Sequence, residues 1–321
     1  MEISDYKALF LEHLKNRVHI KKPENLYEPI NYMLNLGGKR LRPILTLMSC
    51  DLFEGNSKYA LDAALAIEMF HNFSLVHDDI MDVAPLRRGR KTVHEKWDVN
   101  AGILSGDAML VLSNQLLESY DGKQFKKLNS LFNKTALEVC EGQQYDIDFE
   151  ARTDITIAEY VKMISLKTAV LVATSLKFGA IIASAKKSDI ENIYDYGLNL
   201  GIAFQLQDDY LDVFGNEDFG KQKAGDIVKN KKTFLFLKTL ELADRKDRLE
   251  LTKLYKTKQF DKTKIISVIT LFRKYKVPEL LEEKIQEYTL NAIQGIHNLS
   301  LTDSKKKILV EFANQLMERK V

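Results

Sequence analysis

The chain has 321 residues, room for one large domain or two ordinary ones with a sizeable core. An apolar share of 45% and a charged share of 29% exclude a disordered or low-complexity chain. The 47 basic and 45 acidic residues leave a formal charge of +2, too little for a general nucleic-acid coat.

Cys50 and Cys140 are too few and too far apart for a disulfide framework. Both read as buried thiols in a reducing, cytoplasmic compartment. Residues 1–11 carry Glu2, Asp5 and Lys7 and lack the apolar core of a signal peptide. No window reaches the roughly 18 uninterrupted apolar residues of a membrane span. Only five prolines occur, and none lies between Pro85 and Pro278, so that long stretch is free of helix breakers.

Apolar residues recur at helical spacing throughout. Residues 3–19 predict an amphipathic opening helix. Residues 25–36 predict a second, stopped by Gly37-Gly38. Leu41 to Phe53 is a third, ended near Gly55. A fourth starts near Ser57 and ends before Pro85. Further helices are expected over 99–118, 124–149, 157–184, 188–214, 232–242, 245–256, 260–276, 279–296 and 303–319. Thr156-Ile157-Ala158-Glu159 is a capping box that places one start at Thr156. There is no period-two alternation, no Asn-Gly hairpin signal and no Pro, Gly or Ser linker. The expectation is one all-α domain over 1–321, a bundle of ten or more helices with its site between facing helices.

The fourth helix carries the chemistry. Asp78 and Asp82 are four apart, so both carboxylates stack on one helix face about 6 Å apart along the axis. The residues before them are largely apolar, from Ala60 through Phe70 and Phe73 to Val76, which marks a buried helix. Partly buried carboxylates that repel each other take up protons unless a cation balances them. Oxygen-only ligands suit Mg²⁺ or Mn²⁺ completed by water and phosphate oxygens. A lone pair of this kind is more often a solvated helix end. Here Gln207-Asp208-Asp209-Tyr210-Leu211-Asp212 repeats His77-Asp78-Asp79-Ile80-Met81-Asp82, 208 − 78 = 130 residues later. Asp208 and Asp212 again share a face and again follow an apolar run. Four such carboxylates could hold divalent ions that bind a polyphosphate.

Cations accompany them. Gly37-Gly38-Lys39-Arg40-Leu41-Arg42-Pro43 sets three cations behind a glycine pair, and Arg87-Arg88-Gly89-Arg90 follows the first motif by five residues. Arg forks bind phosphate oxygens bidentately, and Lys adds a point charge. Lys167, Thr168, Gln205, Lys221 and Lys231 supply further donors. Taken singly, each of these is more often a surface residue.

Together these motifs, with Gly106-Asp107, Gly142-Gln143, Asp146 and Lys167-Thr168-Ala169, resemble the trans-isoprenyl diphosphate synthases of the polyprenyl synthetase family. The resemblance runs along the whole chain in order. It implies an isoprenoid-synthase helical bundle with a central cavity, a homodimer, and Mg²⁺-dependent condensation of isopentenyl diphosphate with an allylic diphosphate. It implies three Mg²⁺ ions, replaceable by Mn²⁺. Asp78, Asp82 and Asp208 would bind them, with Asp212 and Asp79 assisting through water. Arg87, Lys167, Thr168, Gln205, Lys221 and Lys231 would contact the allylic diphosphate, and Lys167 and Lys231 would aid catalysis. Several registers are open for the lysines after the second motif; spacing favours Lys231. Lys39, Arg42, His71 and Arg88 would hold the diphosphate of isopentenyl diphosphate. Arg319 and Lys320 could close over the site.

Product length is expected to depend on Phe70, Phe73 and Ser74. Counting back from Asp78, Ser74 lies one turn down at about 6 Å, Phe73 at about 7.5 Å and Phe70 at about 12 Å. An aromatic at the fifth position before the motif, with no two-residue insertion, resembles archaeal-type geranylgeranyl synthases. A twenty-carbon product is expected, with fifteen carbons the alternative. Terpene cyclases replace the second motif, and regulatory partner subunits tend to lose aspartates; this chain keeps both motifs. No loop has the spacing of a calcium-binding hand.

Overall fold

The computed structural model describes residues 1–215, 224–256 and 262–318. Its helices are α1 (Ile3–Arg17), α2 (Glu24–Asn35), α3 (Leu41–Leu52), α4 (Leu61–Met81), α5 (Val93–Lys96), α6 (Val99–Leu117), α7 (Gly122–Ala151) and α8 (Ile157–Ile164). They continue as α9 (Val170–Ile182), α10 (Lys187–Phe214), α11 (Gly225–Val228), α12 (Phe234–Leu242), α13 (Arg245–Leu254), α14 (Lys262–Lys274), α15 (Val277–Ile296) and α16 (Asp303–Met317). The expected all-α class is correct. Among the described residues the only strands are β1 (Leu86–Arg87) and β2 (Arg90–Lys91), antiparallel with Leu86 opposite Lys91.

The chain forms two compact units. One comprises Met1–Ala136 with Leu171–Tyr194, the other Leu137–Val170 with Asp195–Val321. In the first, α4 is the central helix. Its residues Ala63 to Ile67, Met69, Phe70, Phe73 and Val76 are all buried, so it is apolar around most of its circumference. Packing against α3 and α6 covers it on two sides. A fully buried Leu, Ile or Phe contributes roughly 2 kcal/mol over its exposed state. Such burial, rather than capping, fixes α4, whose own N-cap Ala60 makes no side-chain bond. The short 3₁₀ turn before it, Ser57–Ala60, is capped by the Asn56 side chain, which accepts from Lys58 N–H at 3.0 Å. Tyr6 on α1 donates to Asp51 at the end of α3 at 3.0 Å.

In the second unit, Phe149 and Tyr160, Leu206 and Val213, Phe234 to Leu237, Leu271, Phe272, Leu281 and Ile285 form one apolar core. The predicted capping box is present: Thr156 accepts from Glu159 N–H, and Glu159 accepts from Thr156 N–H. Tyr196 is fully buried and donates to the Leu309 carbonyl at 2.8 Å, tying α10 to α16.

Four features depart from the sequence reading. The stretch expected as one helix over 157–184 contains a π-helical turn, Ser165–Ala169. Such turns are rare and cluster at functional sites. The region after Pro85 is a hairpin rather than an open loop; its Arg88-Gly89 turn has positive φ at both residues, 54° and 74°. Arg at the first of those positions hid the Asn-Gly signal that usually marks such a turn. The single-turn helices α5 and α11 are too short to show periodicity. Cys140 is exposed rather than buried, because it lies beside the stripe of Phe132, Thr135 and Val139 that α7 buries. Separately, the helical run Ile157–Ile182 is long and apolar enough to cross a membrane by length and composition, but 72% of that window is buried, as in a core helix.

Candidate functional site

The first aspartate motif closes α4. Asp78 and Asp82 are half-buried, whereas Asp79 between them is buried. The hairpin explains the difference. It returns Arg87 onto the helix end, where Nε and Nη2 donate to the two oxygens of Asp79, both at 2.7 Å. This is a bidentate fork, the strongest geometry for such a pair. Arg87 Nη2 also lies 3.5 Å from Asp78. Burial pushes the Asp79 carboxyl above the usual carboxylate range, and the Arg87 fork opposes that shift. Asp79 is thus an anchor for Arg87.

The same unit gathers the basic motifs. Arg42 Nη1 lies 3.2 Å from His71 Nε2. Arg88 donates to the Gly37 carbonyl, which joins the hairpin to the glycine turn. His71 is held well below its ordinary pKa by burial and by the charges of Arg42, Arg88, Arg87 and Arg40. It is therefore a neutral imidazole, and Nε2 is the acceptor for Arg42. Lys39, at the exposed end of the turn, precedes Arg40. Arg40 is buried, pairs with Glu68 and donates to the Leu34 carbonyl. It is a structural cation, so the turn offers Lys39 and Arg42 rather than three cations. Burial and the neighbouring Arg40 lower the pKa of Arg88.

The second unit repeats the pattern of the first motif. Asp208 and Asp212 are half-buried, and Asp209 between them is buried. Tyr160 on α8 donates to Asp209, and Gln205 donates to its other oxygen at 3.0 Å. Burial, together with the charges of Asp226 and Asp208, pushes Asp209 well above the carboxylate range. Asp212 accepts from the Asp226 N–H at 2.9 Å, and its carbonyl accepts from Ala224 N–H at 2.8 Å. These bonds dock α11 on the end of α10 and start the segment that carries Lys231.

Lys231 and Lys167 converge. Their ammonium groups donate to the same oxygen of Asp146 on α7, at 3.0 and 2.8 Å. Asp146 is held below the usual carboxylate range by the two lysines, against the opposing effect of burial. The neighbouring Lys232 instead caps the end of α7 through the carbonyls of Phe149, Glu150 and Arg152. Thr168 donates to Gln205 at 3.0 Å, so the π-helical turn presents Lys167 and Thr168 together. Gly142 makes that possible, because a Cβ there would stand 2.3 Å from the Lys167 backbone nitrogen. Lys221, Arg319 and Lys320 lie outside the described residues. Sequence reasoning gave no role to Tyr160, Asp226 or Asp146, whose partners lie 49, 14 and, for Asp146, 21 and 85 residues away.

The donor set of both motifs is all oxygen and suits a hard divalent cation. Among the described residues no three His, Cys, Asp or Glu side chains form a ready-made metal cage.

Residues 23–272 match the polyprenyl synthetase family model. The chain belongs to the polyprenyl synthetase family. It is 38% identical over 296 residues to a geranylgeranyl diphosphate synthase of Sulfolobus acidocaldarius, with 89% of each chain covered. A crystal structure of a geranylgeranyl pyrophosphate synthase superposes with a TM-score of 0.96 at 47% identity, covering 100% of both chains. The geranylgeranyl pyrophosphate synthetase of Pyrococcus horikoshii Ot3 gives 0.92 at 34% identity, covering 99% of this chain and 97% of that one. The family makes the chain a prenyltransferase, and the relatives named geranylgeranyl diphosphate synthases make it a short-chain prenyl diphosphate synthase.

Proposed function

We propose that the protein condenses isopentenyl diphosphate with an allylic diphosphate to give geranylgeranyl diphosphate, using Mg²⁺ and acting as a homodimer. The observation that carries this is the doubled motif. In each copy the middle aspartate is buried and held by a partner, while the flanking aspartates stay half-buried. Asp78, Asp82 and Asp208, with Asp212 through water, are the carboxylates for the metal. Bound there, Mg²⁺ supplies Lewis-acid stabilisation of the departing diphosphate.

The chain's own residues do the rest. Arg87, Lys167, Thr168, Gln205 and Lys231 face the allylic diphosphate with donors and positive charge as its leaving-group charge develops. Lys39, Arg42, His71 and Arg88 hold the diphosphate of isopentenyl diphosphate, whose double bond attacks the allylic carbon. The carbon–oxygen bond to the leaving diphosphate breaks, the new carbon–carbon bond forms, and a proton leaves to the released diphosphate. Apolar helices exclude water that would quench the cation-like carbon. Phe73, with Phe70 below it and Ser74 beside it, is the floor that stops growth at twenty carbons. The relatives named geranylgeranyl synthases support this length over the fifteen-carbon alternative.

The test is turnover of labelled isopentenyl diphosphate by the purified chain with each primer. Chelation of divalent metal should abolish it. Asp78→Ala and Asp208→Ala should each lower the rate by about a hundredfold or more while helical content is unchanged. Near-normal turnover in either variant at saturating Mg²⁺ would refute the metal assignment.

A further inference from the structure

His77 sits next to Asp78 yet has no part in the roles above. It lies on the same face of α4 as Phe73, four residues on. The two rings meet edge to face, with centroids 4.8 Å apart and planes at 66°. Phe73 meets Phe70 one turn lower, at 5.5 Å, and Phe70 meets Phe132 of α7 at 5.4 Å. Phe73 is therefore gripped from both ends of its helix face. The lower grip is fully buried. The upper one depends on where the imidazole is held.

That position is set by α6. His77 Nε2 lies 3.2 Å from the Ile103 carbonyl. A carbonyl only accepts, so Nε2 carries the hydrogen. Asp107 lies 3.8 Å from the same nitrogen. Gly106 leaves the space the ring occupies: a Cβ there would stand 2.2 Å from Nε2 and 2.5 Å from Cδ2. No side chain other than hydrogen at 106 is compatible with the imidazole in this place.

We infer that His77 is a positioning residue for product length: seated on Gly106 and the Ile103 carbonyl, its ring holds the Phe73 ring in place as the floor. All of these residues belong to one compact unit. The inference rests on the reading of Phe73 as the floor, and the experiment separates the two.

Products from labelled isopentenyl diphosphate are sized for Phe73→Ala, His77→Ala, Gly106→Ala, the double variant His77→Ala/Gly106→Ala, and Gly102→Ala. The readout is the ratio of products longer than twenty carbons to the twenty-carbon product, set beside the rate of the first condensation. Phe73→Ala should raise the ratio. His77→Ala should raise it about fivefold, the population change an edge-to-face ring pair can hold back. Gly106→Ala should change it about threefold or more, because the new methyl displaces the imidazole. In the His77→Ala background the same methyl has nothing to displace and should change nothing. Gly102→Ala disturbs the same helix contact, but at Ile80, 2.8 Å from the added Cβ, and should leave the ratio alone.

If Phe73→Ala lengthens the product but His77→Ala and Gly106→Ala do not, His77 does not hold the floor. Additive effects of His77→Ala and Gly106→Ala, or an equal shift in Gly102→Ala, would show general loosening of the helix contact and overturn the inference. An unchanged product in Phe73→Ala removes the floor itself, and the role of His77 with it.

Discussion

Arg42 and Arg88 lie in a cluster of cations: beyond the effect of burial, Arg40 and Arg87 lower the proton affinity of Arg88, and all four arginines lower that of His71. A dianionic or trianionic diphosphate relieves that repulsion. Arg42→Ala or Arg88→Ala should therefore raise the KM for isopentenyl diphosphate by about tenfold or more, with a much smaller change for the allylic primer. Steady-state kinetics with each substrate varied in turn decides it; equal effects on both would remove the assignment of these positions. At this scale the sequence was informative wherever charge and spacing coincide. The i, i+4 aspartates are placed on one helix face by their spacing alone. The choice of Lys231 over its neighbours followed from spacing; the structure sets its ammonium group beside that of Lys167 on Asp146. What could not be read was the pairing of residues far apart in the chain. Nothing local says that Arg40 turns inward to Glu68, or that Tyr160 closes over Asp209.

Helices were legible because burial of α4, α7 and α10 leaves long apolar periodicities. The π-helical turn at Ser165–Ala169 was not, since one extra residue in a turn leaves the apolar pattern nearly intact. Its position is nonetheless the reason Lys167 and Thr168 point together towards their partners. Gly142 on α7 faces the backbone of Lys167 with no room for a Cβ. Gly142→Ala must push α7 and this turn apart, and both Lys167 and Asp146 move with it. We expect a loss of activity of about a hundredfold with most of the fold retained. The Lys167→Ala change alone should cost less, because it leaves Lys231 on Asp146. Assays of the two variants beside their circular dichroism test this. Gly142→Ala with full activity would mean that the turn tolerates displacement and does not position the two donors.

Over the whole molecule, folding, protonation and anion binding are linked through His71. Its proton affinity is lower folded than unfolded, owing first to burial and then to Arg42, Arg88, Arg87 and Arg40. Between its folded value and the ordinary value of about 6.5, the unfolded chain binds a proton that the folded chain does not. Stability therefore rises with pH through that window, is complete above it, and is lost progressively as pH falls through it. His71→Gln keeps an acceptor for Arg42 but cannot take up a proton in either state. On going from about pH 8 to about pH 5.5, the thermal midpoint of the unsubstituted protein should fall further than that of the variant, by about 2 °C. Comparing the two proteins cancels the contribution of every other titrating group. Saturating inorganic diphosphate should shrink the difference, because an anion among the four guanidinium groups restores the proton affinity of the imidazole. Parallel pH curves for the two proteins would mean that His71 titrates as it does in water. A difference that diphosphate leaves untouched would place the anion away from the Arg42 and Arg88 cluster.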